Sequence, residues 1–142
     1  MKKRIWKKLV ALGLALTLFF SYGNITTLAA SSVSGNMSGA AIRGTINIYD
    51  DSSATAVTTF ERPSSQIYAT AYVYYWWGTY YYYNSSGRRY ATAGGISVTA
   101  TKKLGGADVV GAEGIHEVKY GAYSWGPVQT TTGTIPSRAI EI

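Results

Sequence analysis

The residues whose side chains are best suited to catalysis lie in one segment, where His116 stands between Glu113 and Glu117. Two carboxyl groups can act as the acid and the nucleophile or base of a glycosidase when they lie about 5–9 Å apart. A catalytic site of that kind needs further convergent groups, which this chain barely supplies. We therefore expect Glu113 to belong to a glycine-rich turn and Glu117 to a solvated strand edge.

Other catalytic and metal signatures are incomplete. The order His116-Glu117-Val118-Lys119-Tyr120 resembles the start of a zinc-protease motif, but a tyrosine stands where the second histidine ligand is needed. The chain has no cysteine, and no serine lies in a Gly-x-Ser-x-Gly elbow. Asp50 and Asp51 could bind calcium, but two acids in a serine-rich segment favour a turn. We expect a protein that is not an enzyme and has no metal or cofactor, with His116 as an ordinary strand residue.

An aromatic segment, residues 67–83, dominates the chain with eight of its thirteen tyrosines and two of its four tryptophans. Aromatic and β-branched residues favour a pleated strand over a helix. Alternation along a strand places Ile67, Ala69, Ala71 and Val73 on one face, and we expect this face to point inward.

Gly78-Thr79 interrupts the aromatic segment and suits a two-residue hairpin turn with glycine at its first central position. That turn would pair Trp77 with Tyr80, and likewise Trp76 with Tyr81, Tyr75 with Tyr82 and Tyr74 with Tyr83. The aromatic hairpin either fills the core or presents the rings of the second face as an outer platform: Tyr68, Tyr72, Tyr74, Trp76, Tyr81 and Tyr83. Arg88 and Arg89 follow the hairpin, and we expect them to lie over Tyr83 or Tyr82 by cation–π contact or to receive an anionic group.

The N-terminus has the three parts of a secretory signal peptide. Basic residues 2–8 precede an apolar run over residues 9–20, and small residues follow at Ala29 and Ala30. The run is too short to span a bilayer, for which about 20 apolar residues are needed. We predict cleavage after Ala30, with Ala29 as the alternative, and hence an exported protein. The basic start resembles that of proteins exported by Gram-positive bacteria.

Removal of residues 1–30 changes the charge. Five of the thirteen basic residues lie there, so residues 31–142 carry eight basic and seven acidic residues, a net charge of about +1. The high isoelectric point thus belongs to the leader and gives no reason to expect nucleic acid as a partner.

Short strands between turn signals predict an all-β domain over residues 40–135, a two-sheet antiparallel β-sandwich with a small barrel as the alternative. The strands are expected at residues 40–49, 54–60, 67–77, 80–83, 88–93, 96–102, 115–123 and 128–134. Gly121 is expected to mark a bulge within its strand. Residues 31–39 are polar and are expected to be a flexible lead-in, and residues 136–142 a tail.

Aromatic rings are the side chains that dominate binding hot spots. The leading hypothesis is a secreted or cell-surface binding module with glycan as the expected partner. The alternative is a membrane-active protein, similar in make-up to exported toxins and bacteriocins, that inserts the hairpin as an aromatic tip. Near-neutral charge disfavours that alternative. A third hypothesis is an inhibitor or self-assembling surface protein that uses the aromatic strand as an exposed edge.

Overall fold

The computed structural model describes residues 31–49, 52–63, 66–91 and 95–142. The described residues form strands and connections without a helix, and none of their segments is a helix able to cross a membrane. The predicted leader and its cleavage site at Ala30 lie outside the described residues, as do Asp50 and Asp51. The strands are β1 (Ser32–Met37), β2 (Ala40–Tyr49), β3 (Ser53–Phe60), β4 (Gln66–Trp77), β5 (Tyr80–Ser85), β6 (Arg89–Tyr90), β7 (Ser97–Lys103), β8 (Val109–Tyr120), β9 (Tyr123–Gly133) and β10 (Ile140–Glu141).

The strands form two sheets. The smaller sheet has the order β1-β2-β3-β7, and the larger has the order β10-β5-β4-β8-β9 with β6 paired to β4. All pairs are antiparallel except β10 with β5. The prediction of a two-sheet, mostly antiparallel all-β protein is confirmed, and the small-barrel alternative is wrong because the sheets do not close.

The β4–β5 hairpin forms as the sequence predicts. Gly78 has φ +66°, the left-handed conformation that glycine adopts without steric cost. Trp77 pairs with Tyr80, and the next three cross-strand pairs also have the predicted register. Because side chains alternate along a strand, this register determines which rings share a face.

The core lies between the sheets. The inward face of β4 is fully buried at Ile67, Ala69, Ala71 and Val73, as predicted. Small residues are common on this face, which allows bulkier groups such as Phe60 of β3 to pack in the same cluster. Ile96, the first residue of the predicted strand at 96–102, is 55% exposed and precedes β7, which begins at Ser97.

His116 is a polar residue in this core and is fully buried. Its Nδ1 lies 2.8 Å from the hydroxyl of Thr58 on β3, and its Nε2 lies 2.7 Å from the hydroxyl of Thr130 on β9. A Cβ atom on Gly44 of β2 would come within 2.5 Å of the His116 ring, so glycine is required where this strand passes the imidazole. His116 is thus a strand residue, and it links the two sheets.

The prediction of a flexible lead-in at residues 31–39 does not hold for Ser32–Met37, which form β1 along the edge of β2. The backbone supplies hydrogen bonds that a composition argument does not count. Burial also contributes, since Met37 is only 7% exposed. Gly35 lies so close to the Trp125 indole that a side chain there would collide with it.

Three further predictions need correction. Gly121 does not mark a bulge: with φ +59° it occupies the turn between β8 and β9, and the register shift lies between His116 and Val118. The predicted tail is partly a strand, because Ile140–Glu141 pairs with Tyr82 and Tyr83 of β5. The predicted exposed aromatic edge is also wrong for β4, which lies between β5 and β8.

Candidate functional site

The candidate site is the face of the larger sheet that points away from the core, here called the outer face. Four of the six rings of the predicted platform lie on β4, where they alternate with its buried residues. The other two, Tyr81 and Tyr83, lie on β5 and pair with Trp76 and Tyr74. Trp76 is 48% exposed and the other five rings are half-buried. The structure therefore brings all six predicted aromatic residues to one face, but as three separate groups.

The first group is the tyrosine cluster, formed by Tyr72, Tyr74 and Tyr83. The ring centroids of Tyr74 and Tyr83 lie 5.7 Å apart with planes at 32°, and those of Tyr72 and Tyr83 lie 6.2 Å apart with planes at 53°. Tilted pairs at these distances are favourable for aromatic rings. The cluster is consequently a ridged surface, with ring edges and faces both available.

The second group is the pair Trp76–Tyr81 beside the hairpin turn. Its centroids are 4.6 Å apart and its planes make an angle of 71°, an edge-to-face contact. The pair fixes the orientation of the indole while leaving about half of it in contact with solvent. An oriented, uncovered indole is a low-entropy contact for a ligand.

The third group surrounds Tyr68 and is covered by charge. The Arg88 guanidinium lies 3.8 Å from the centre of the Tyr68 ring and forms an ion pair with Glu117. Lys119 lies 3.4 Å from the same carboxylate. The prediction that Arg88 stacks on Tyr83 or Tyr82 is wrong, because β6 pairs beside the first half of β4.

Arg89 is opposite Ala69 in the same pairing, so its backbone also lies far along β4 from Tyr82 and Tyr83. The expectation of a cation–π contact between Arg89 and these rings is therefore wrong too. Arg89 is exposed.

The outer face also carries carboxylates in contact with the tyrosine cluster. The Tyr74 hydroxyl donates a hydrogen bond of 2.9 Å to Glu113, and the Tyr83 hydroxyl donates one of 3.0 Å to Glu141. Burial raises the pKa of Glu113, although hydrogen bonds from Tyr74 and Gln129 oppose this effect. Burial and the Glu113 charge raise the pKa of Tyr74, while the hydrogen bond to Glu141 is the largest cause of the raised pKa of Tyr83.

A groove of about 630 Å³ lies at the end of the hairpin, between it and residues 104–108. Alternation along β4 puts Trp77 on the same side of the strand as Val73, but Trp77 lines this groove and is 69% exposed. The strand runs past the edge of the core here, so the Trp77 ring contacts Tyr82 at 6.1 Å between centroids and is otherwise largely uncovered. The exposure of Trp77 could have been predicted from the sequence, because Trp77 is next to the hairpin turn.

The catalytic arrangements considered from the sequence do not assemble. Glu113 and Glu117 lie about 13 Å apart along the backbone of β8, and their carboxyl groups bind different partners, Tyr74 and Arg88. The expectations of a glycine-rich turn at Glu113 and a strand edge at Glu117 are wrong, because β8 lies between β4 and β9. Both ring nitrogens of His116 are bonded to threonine hydroxyls inside the core. Among the described residues no three metal-ligating side chains come together.

Comparison with known proteins finds no matching family model, no significantly similar curated protein and no significantly similar solved structure.

Proposed function

We propose that the protein is an exported, non-enzymatic β-sandwich binding module that holds a glycan on its outer face, outside the cell or at its surface. The observation that supports this is the row of tyrosine and tryptophan rings along β4 and β5, which the chain holds in fixed orientations and leaves open on one side. The leader-like N-terminus supplies the argument for export.

Stacking against the apolar face of a sugar ring needs an oriented aromatic side chain, and Trp76 with Tyr81 provides one. Sugar hydroxyls also need fixed polar partners. Glu113, Gln129 and Glu141 lie next to the aromatic rings, and two of these side chains are already held by tyrosine hydroxyls. Apolar area with a few fixed polar groups is the usual composition of a small-molecule site.

Retention on insoluble polysaccharides and on Gram-positive cell walls tests this proposal. Purified residues 31–142 should be retained on at least one of them, and Trp76→Ala should weaken retention by about tenfold, the effect of losing one stacking contact. Tyr49→Ala is the matched control, since it removes a 52% exposed ring from the smaller sheet. Absence of retention by the folded protein, or equal loss in both variants, would contradict the proposal.

A second function is favoured by the end of the hairpin. Trp76, Trp77 and Tyr80 are 48%, 69% and 59% exposed around the Gly78 turn, and tryptophan and tyrosine concentrate at the membrane–water interface. A membrane-active protein would release dye from liposomes and lose this activity in Trp77→Ala. Dye release without retention on glycans would favour this membrane-active function over the glycan-binding function.

A further inference from the structure

The tyrosine cluster lies between two carboxylates. Glu113 on β8 accepts a hydrogen bond from Tyr74, and Glu141 on β10 accepts one from Tyr83. The two tyrosine rings contact each other at 5.7 Å, so the four side chains form a continuous row across four strands.

Neither of these carboxylates has a cationic partner within the described part of the chain. The ion pairs formed there, from Arg88 and from Lys119, both go to Glu117 at the other end of the outer face. Arg88 and Lys119 are also the cations placed over the Tyr68 ring. The ion-paired cations of this face thus lie around Tyr68, whereas the charged side chains bonded to the tyrosine cluster are the two carboxylates.

The electrostatic character of the cluster agrees with this distribution. The charges of Glu113 and Glu141 both contribute to the raised pKa of Tyr83, which means that the site resists gaining another negative charge. The faces of the aromatic rings are themselves electron-rich and attract cations. A positively charged ligand group would be attracted both by the two carboxylates and by the faces of the tyrosine rings.

We propose that the tyrosine cluster binds an ammonium group, and that the glycan held on the outer face is one that carries free amino groups. The ammonium would lie over the Tyr74 and Tyr83 rings with Glu113 and Glu141 on either side, while a neighbouring sugar ring stacks on Trp76. The choice of ligand follows from charge complementarity. The glycan part rests on the function proposed above, whereas the cation part can be measured on its own.

The test is a pair of oligosaccharides that differ only in charge: a β-1,4-linked glucosamine oligomer and its fully N-acetylated form of the same length. Affinities are measured by calorimetry with residues 31–142 in a buffer acidic enough to protonate the amino groups but above the raised pKa of Glu113, so that its carboxylate stays charged. We expect the amine form to bind about tenfold more tightly, a typical cation–π and ion-pair advantage. Tetramethylammonium chloride is the probe for the cation site without sugar, and it should compete with the amine form.

The variant Glu113→Gln/Glu141→Gln keeps acceptors for both tyrosine hydroxyls but removes the charges, and it should reduce the tenfold preference to about twofold or less. Glu61→Gln, a charge change in the exposed segment after β3, is the control and should keep the full preference. Equal binding of the two oligomers would overturn the cation inference and leave the glycan proposal standing. Binding of tetramethylammonium alone would support the cation site and count against a glycan that carries amino groups. No binding of any probe would overturn the cation inference, and retention on polysaccharides and cell walls would then decide the glycan proposal separately.

Discussion

The imidazole of His116 on β8 and the hydroxyl of Thr58 on β3 form a hydrogen bond of 2.8 Å that joins the two sheets inside the core. Thr58 donates its own proton to the carbonyl of Tyr68 at 2.9 Å, so Nδ1–H of His116 must be the donor to Thr58. Nε2 then accepts from Thr130 at 2.7 Å. The neutral imidazole is thereby fully satisfied, and a second proton on the ring is disfavoured because it would place a charge inside the core.

This arrangement predicts that stability falls in acid. Burial lowers the pKa of His116 from 6.5 to about 4. The unfolded chain therefore takes up a proton first, so the stabilisation is complete above pH 6.5 and is lost as the pH falls towards 4. The loss corresponds to roughly 3 kcal/mol, at about 1.4 kcal/mol for each pKa unit. Urea denaturation at a series of pH values measures it.

Glu113 is the internal comparison for that experiment, because its raised pKa acts with the opposite sign. The stability that Glu113 contributes is complete below its ordinary pKa of 4.5. It is lost as the pH rises through the raised pKa of Glu113 in the folded protein. A Glu113→Gln variant should therefore show a steeper acid loss than the parent chain. A stability that stays constant between pH 6.5 and 4 in this variant would contradict the role given to His116.

Gly44→Ala should destabilise the protein by about 1–3 kcal/mol, the usual cost of overpacking a core. The added Cβ would lie 2.5 Å from Cγ of His116, and the ring is held in place from both sides. Gly105→Ala is the control, since its Cβ would meet nothing within 4 Å. In a His116→Ala background the Gly44→Ala change should be nearly neutral, and a full cost in that double mutant would show that the ring is not what excludes the side chain.

Tyr74 should be among the last tyrosines to ionise in an alkaline titration followed by NMR of labelled tyrosine rings. Its pKa is raised by burial first and by the nearby Glu113 carboxylate second. Glu113→Gln should lower the pKa of Tyr74, because it removes the carboxylate charge and the acceptor of its hydrogen bond. An unaltered titration of Tyr74 would mean that the hydrogen bond to Glu113 is absent in solution.

Trp125→Ala should release β1 and lower stability by less than the roughly 3–5 kcal/mol typical of a fully buried tryptophan, because Trp125 is only partly buried. The indole lies against Gly35, and β1 is an edge strand held along one side by β2. Amide hydrogen exchange should show loss of protection in Ser32–Met37 before the rest of the sheet. Unchanged protection of these amides in a folded Trp125→Ala protein would contradict this role of the tryptophan.

The sequence was sufficient for the hairpin and for the faces of its strands. A two-residue turn at Gly78 fixes the register of the residues on either side, and the alternation of a strand then assigns Ala71 inward and Tyr72 outward. These are local consequences of backbone geometry, and they do not depend on where the rest of the chain goes.

Contacts between residues distant in sequence could be known only from the tertiary structure. Composition could not reveal that β1 would find an edge beside β2, that Glu141 would reach Tyr83, or that Arg88 would lie over Tyr68. Nor could it show that His116 meets Thr58 where Gly44 leaves room. Local periodicity determines which way a side chain points, but its partners depend on how the sheets pack, and that packing creates the charge distribution of the outer face.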